Sequence, residues 1–137
     1  MNGTVLFDTN IYISAILFGG KPKELITLAR SGELEVVISE HILWEIREVL
    51  SRKFKVPETR LNAIEHDVLN LAKLIHVSSE LDVISQNAAD NKILACAVDG
   101  HVDAIITGDN HLLSLEKYQN ILILTPQKFI KQREGIK

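Results

Sequence analysis

The stretch VLFDTNIYISAIL, residues 5–17, decides the fold. Val5, Leu6 and Phe7 form an apolar run without polar alternation, the pattern of a short strand buried on both faces. Asp8 follows at once. A second apolar run, from Asn10 to Phe18, then takes helical spacing and stops at Gly19-Gly20. A strand passing directly into a helix opens a β–α unit. A carboxylate at the mouth of a core strand costs desolvation, so its placement calls for a use. Capping the next helix is one, but Thr9 and Asn10 can serve as caps too. Asn10 is read first as a helix cap and second as a site residue.

Outward from this stretch the alternation continues. Pro22 stands near the start of a second helix that ends at Gly32. Glu35 to Ile38 is the second strand, and Ser39 caps a helix through Leu50. Pro57 to Ile75 predicts a long helix, with Leu61, Ile64, Val68, Leu71 and Ile75 on one stripe. A weak strand is expected near His76-Val77. A helix follows from Ala89 to Val98, a strand from Ala104 to Thr107, a short helix from Asp109 to Leu115 and a strand from Ile121 to Leu124. Thr125-Pro126 opens a last helix. The prediction is an α/β fold of three layers, α/β/α, around a central, mostly parallel sheet of four to five short strands. Ligands of such sheets bind outside the carboxyl ends of the strands, where strand order reverses.

The 137 residues carry no repeat, low-complexity tract or linker, so one domain, 1–137, is expected. Hydrophobic residues make up 46% and charged residues 24%, which excludes a disordered chain. The single cysteine, Cys96, cannot pair within the chain and suits a reducing, cytoplasmic setting. Asp8 interrupts the first apolar run and no basic region precedes it, which argues against a signal peptide; no stretch is apolar and long enough for a membrane span. A net charge of −3 does not mark the whole chain as a polyanion binder. Basic residues nonetheless gather at Arg47, Arg52, Lys53, Lys55 and Arg60, and again in the C-terminal tail. The tail reads as solvated surface, and Arg52, Lys53 and Lys55 are the candidate phosphate contacts.

Four acids fall where an α/β sheet presents its ligand site. Asp8 follows the first strand. Glu45 borders the apolar face formed by Ile42, Leu43, Ile46, Val49 and Leu50. Asp90 lies on the inward line of its helix with Leu94, Ala97 and Val98. Asp109 follows Gly108, which is expected to let the backbone turn tightly. Each has an ordinary explanation: a cap, a border residue or a favourable charge in a first helical turn. Together they repel unless they share a proton or hold a cation. Oxygen donors suit Mg²⁺ or Mn²⁺, and such ions serve phosphate chemistry.

The segments LFDTNIYISAIL, SEHILWEIREVL, ADNKILACAV and DAIITGDNHLL, in this order, resemble a PIN-domain protein, of the kind found as VapC-like ribonuclease toxins in prokaryotic toxin–antitoxin pairs. The resemblance runs over nearly the whole chain. It implies a Mg²⁺- or Mn²⁺-dependent endoribonuclease whose catalytic and metal-holding residues are Asp8, Glu45, Asp90 and Asp109. Asn10 and Thr107 match positions that help shape that site. It also implies an RNA substrate, an antitoxin partner and a homodimer. Two positions depart from the pattern. Asn87-Ala88 stands where many members read Asp-Pro, and His111 stands where many carry a further acid, so a second metal is less well supplied. In an extended segment His111 would face the metal with Asp109; in a helical turn it would point to solvent.

His41, His66, His76 and His101 lack zinc spacing with Cys96 and read as surface or border residues; Cys96 reads as inert core. Trp44 points away from its helix's apolar stripe, to pack under the long helix or in a subunit interface. Two other readings compete with the nuclease. A Mg²⁺-dependent phosphohydrolase on a similar sheet would carry an acid two residues after the first, where this chain has Asn10. A non-catalytic domain of the same fold would bind RNA or protein without needing the four acids. No Gly-rich phosphate loop follows the first strand, which argues against nucleotide binding.

Overall fold

The computed structural model describes residues 3–81 and 88–135. Its strands are β1 (Thr4–Phe7), β2 (Glu35–Ser39), β3 (Lys73–Ile75), β4 (Ala104–Ile106), β5 (Lys117–Tyr118) and β6 (Ile121–Leu124). Its helices are α1 (Thr9–Leu17), α2 (Gly20–Arg30), α3 (Glu40–Phe54), α4 (Glu58–Leu71), α5 (Ala88–Asp99), α6 (Asn110–Leu113) and α7 (Pro126–Gly135). The sheet runs β3-β2-β1-β4-β6-β5. All neighbours are parallel except β5, which pairs antiparallel with β6 through Lys117–Leu122 and Tyr118–Ile121. The sheet therefore has six strands instead of the expected four to five. The extra one, β5, has only two residues, too short to leave an alternating pattern in the sequence.

The core strands form as their composition dictates. Val5, Leu6 and Phe7 are buried, as are Val36 to Ile38 and Ala104 to Ile106. Burial on both faces is the condition under which apolar strands pair in parallel. Helices α1 to α4 pack among themselves and α7 against α2, while α5 packs on β1. Right-handed crossovers explain the division: the chain moves from β1 to β2 to β3 in one direction and returns through α5 to β4 in the other, so its helices fall on opposite faces. Gly100, just after α5, marks how closely these layers approach. A Cβ there would lie 2.9 Å from Val37 Cγ2 and 3.0 Å from Ile75 Cδ1.

Several boundaries differ from the sequence reading, and α3 runs on to Phe54 instead of stopping at Leu50. The predicted helix over Pro57–Ile75 stops at Leu71, and the strand expected at His76-Val77 is Lys73–Ile75. The stripe of apolar residues continues through Ile75, but β3 pairs with β2 at Val37–Lys73, Ile38–Leu74 and Ser39–Ile75, and those ladder bonds replace another helical turn. Helix α6 is also shorter than expected, one turn over Asn110–Leu113. Ser39 caps α3 as expected, its Oγ accepting from the Ile42 N–H at 3.1 Å, a contact worth about 1 kcal/mol.

Strand β1 lies between β2 and β4. The chain leaves β1 toward one edge and later comes back to its other side. The crevice between the carboxyl ends of β1 and β4 is thus the point of strand-order reversal.

Candidate active site

Asp8 occupies that crevice. The β1 ladder extends through it, its N–H donating to the Ile106 carbonyl at 3.0 Å. Its backbone is extended at the N-cap position of α1, yet its side chain makes no capping bond. The buried carboxylate instead accepts from Thr107 Oγ1 at 2.7 Å. Asn10, expected first as a cap, is exposed in the first turn of α1; Asp8 takes the cap position because extended backbone persists one residue past β1.

Thr107 is fully buried at the end of β4. While donating to Asp8, its hydroxyl accepts from the Asp109 N–H at 2.9 Å. One side chain therefore fixes both a carboxylate on β1 and the backbone that carries Asp109. Asp109 caps α6, accepting from the Leu112 N–H at 3.2 Å, and still presents carboxylate oxygen to the crevice. At Gly108, expected to let the backbone turn tightly, φ is not positive and a Cβ would meet nothing within 4 Å, so the turn does not require a glycine.

Asp90 enters from the first turn of α5 and is buried. It is hydrogen-bonded to Asp109. Its pKa is pushed up to about 7, first by burial, then by that hydrogen bond and by the charges of Asp109 and Asp8, with His111 opposing. Burial raises Asp109 as well, but the bonds from Asp90 and the Leu112 N–H, together with His111, outweigh it and hold the carboxyl below its ordinary value. Burial and the neighbouring carboxylates thus favour a bound proton on this pair, which titrates as a unit. Asp8 is raised, chiefly by burial, against the lowering effect of its Thr107 bond; Asp109 and Glu45 add to the rise.

Glu45 comes from the second turn of α3. Its Oε1 accepts from Thr9 Oγ1 at 2.7 Å, which brings the acid beside Asp8. Thr9, read from sequence only as a spare cap, thus ties α1 to α3. His41 is a second residue that sequence reasoning left at the border. It lies one turn before Glu45, half-buried, with Nε2 3.6 Å from Glu45 Oε1. The spacing of four along one helix was the available signal.

His111 combines the two placements open to it. It lies in the helical turn of α6 with a side chain 68% exposed, yet Nδ1 is 3.6 Å from Asp109 Oδ1. Ligand atoms of Asp90, Asp109 and His111 all fall within 4.8 Å of one another. Asn87 lies outside the described residues. Trp44 does not pack under α4; it is 58% exposed and stacks on His41. Arg52, Lys53 and Lys55 sit exposed at the far end of α3, roughly 10 Å along the axis from Glu45. Arg52 pairs there with Glu48 at 3.4 Å. Cys96 is buried and its thiol pushed up to about 11, mainly by burial, which leaves it inert at neutral pH.

The donor set fits a hard divalent cation. Asp90 and Asp109 offer carboxylate oxygen within 4.8 Å of each other and of His111, and Asp8 and Glu45 add negative charge nearby, which raises the cost of ionising Asp8 and Asp90 unless a cation is bound. Among the described residues no helix is long and apolar enough to cross a membrane.

A family model for the PIN domain matches residues 4–111. No curated protein matches the chain. Among solved structures, a chain in the crystal structure of VapBC2 from Rickettsia felis bound to a DNA fragment from their promoter superposes with a TM-score of 0.61 at 17% identity, over 88% of this chain and 96% of that one. At that identity the likeness is one of fold.

Proposed function

The chain belongs to the PIN-domain family, and on that premise we propose that it is a metal-dependent endoribonuclease that hydrolyses RNA phosphodiester bonds as the toxin of a toxin–antitoxin pair. The observation that supports this reading is that Asp8, after β1, and Asp109, after β4, stand at the strand-order reversal, linked by Thr107, with Asp90 beside Asp109 and Glu45 bonded to Thr9, the residue after Asp8. Asp8 stands at the N-cap position of α1 without a capping bond, and Asp109 keeps carboxylate oxygen beside Asp90 and His111 while it caps α6, so neither acid is spent on capping alone.

In this reading Asp8, Asp90 and Asp109 hold a Mg²⁺ or Mn²⁺ ion, and Glu45 holds or orients the ion and the attacking water. Such an ion, when bound, supplies positive charge to the non-bridging phosphate oxygens and makes water more acidic. The remaining work belongs to the chain. Thr107 sets the Asp8 carboxylate and the Asp109 backbone at fixed separation, and Thr9 sets Glu45 against Asp8. Preorganisation of this kind spares the site any reorganisation as charge develops on the phosphate. Water forms the new bond to phosphorus and the bridging ribose oxygen leaves; no side chain becomes covalently attached.

The structural neighbour from Rickettsia felis is a VapBC complex, which supports an antitoxin protein as partner and, with the single buried cysteine, a cytoplasmic setting. The test is incubation with mixed cellular RNA in Mg²⁺, Mn²⁺ or chelator, with the cut ends mapped. Cleavage should require metal, and Asp8→Asn should lower it by at least about 100-fold with the circular dichroism spectrum unchanged. An Asp8→Asn protein that cuts at the wild-type rate refutes the site assignment. A wild-type protein that binds RNA but leaves it whole in both metals favours the non-catalytic reading.

A further inference from the structure

Trp44 is the only tryptophan of the chain and is 58% exposed on α3. Leaving so large an apolar ring in water forgoes its burial energy, so its position asks for an occupant. The ring is not loose. It stacks on His41 with centroids 6.0 Å apart and planes 26° from parallel. His41 is 3.6 Å from Glu45, and Glu45 is held by Thr9 beside Asp8. Ring, imidazole and carboxylate form one continuous row leading into the acid site.

We infer that Trp44, braced by His41, is a stacking platform for a nucleobase of a single-stranded RNA substrate, close to the phosphate that the carboxylates address. The inference rests on the nuclease reading for the substrate class only. Three observations favour a base over a second protein. First, the helix-surface neighbours of Trp44, three and four residues away, are Glu40, His41, Arg47 and Glu48, whereas an interface core is a contiguous apolar patch depleted of charge. A base needs only one aromatic face. Second, the ring is pre-oriented by its stack, which lowers the rotamer entropy lost on binding. Third, Lys92 lines the same cavity as His41, and so supplies a cation for the backbone of the same nucleotide.

Because Trp44 is the sole indole, its fluorescence reports on the proposed contact directly. Asp8→Asn protein is titrated with short unstructured RNA oligomers in Mn²⁺, and in parallel with ribose-phosphate oligomers that lack bases. Saturable quenching by RNA and none by the abasic oligomer is expected. In the wild-type background, Trp44→Ala should raise KM roughly 5- to 100-fold with kcat changed less than about twofold, and Trp44→Phe should restore most of the loss. Emission indifferent to RNA, with cleavage by Trp44→Ala at wild-type KM, overturns the platform and leaves the nuclease reading standing. Quenching without cleavage by wild-type protein has the opposite meaning: the platform stands and the catalytic reading fails. Emission that changes with protein concentration alone, together with dissociation of a dimer in Trp44→Ala, assigns the ring to a second copy and overturns the inference.

Discussion

Asp90 shows what the fold demands of a single residue. Its pKa stands at about 7 in the folded chain and near 3.9 in an unfolded one. The native state therefore binds its proton more tightly. The stability this contributes is complete below about pH 4 and is lost as pH rises through about 7. Asp8 is shifted in the same direction. Thermal unfolding of chelator-treated protein should thus show a midpoint that falls between pH 5 and pH 8, and Asp90→Asn should flatten that slope. Mn²⁺ added at the higher pH should restore the midpoint by binding the native state alone. A midpoint that rises over this interval in chelator contradicts the raised pKa of Asp90. At His111 the expectation concerns metal choice. An imidazole within reach of Asp90 and Asp109 favours an ion that tolerates nitrogen, so Mn²⁺ should outperform Mg²⁺. His111→Asp should raise Mg²⁺-supported cleavage and narrow the gap, read as initial rate against metal concentration. Superimposable curves for the two proteins would remove His111 from the site.

At the scale of elements, α3 carries opposite chemistry at its two ends. Its first two turns bear His41, Trp44 and Glu45, and its last turn bears Arg52 and Lys53, followed by Lys55 in the left-handed conformation with φ 56°. Cations suit a helix C-terminus whether or not they meet RNA. If a bound strand follows the helix, neutralising Arg52, Lys53 and Lys55 together should lower the salt slope of RNA binding by about 2; an unchanged slope makes them plain surface. The same helix illustrates what was legible in the sequence. Ser39, the apolar stripe and Glu45 at its border are local patterns, and each was found where the pattern put it. The four acids were legible as residue types at strand ends and helix starts. Their cement was not: Thr9 and Thr107 act across 36 and 99 residues of chain, and a hydroxyl's partner at that separation leaves no local trace. Strand β3 was displaced for a related reason, since pairing with β2 is decided by a distant partner and the stripe continued past the true helix end.

For the whole molecule the open quantity is its assembly. The apolar stripe of the long helix is largely spent inside, with Leu61 and Val68 buried. Phe18, Phe54 and Leu69 remain exposed at 77%, 42% and 40%. We predict a homodimer built on such residues and independent of Trp44, so that light scattering at micromolar concentration should give twice the chain mass for wild type and for Trp44→Ala alike. A monomeric mass for wild type excludes it.

The central place of β1 has a consequence for how the protein is made. Strand β1 pairs with β2 about 30 residues later in the chain and with β4 about 100 residues later. Closing so long a loop is slow relative to local helix formation. Until Thr107 and Asp109 emerge, Asp8 has neither its hydroxyl donor nor its partner acid. A nascent or prematurely terminated chain therefore carries most of the helices and two of the core strands, yet no assembled acid cluster. On the nuclease reading, a chain built in this order cannot cut the messenger and ribosome that produce it until synthesis has passed Asp109.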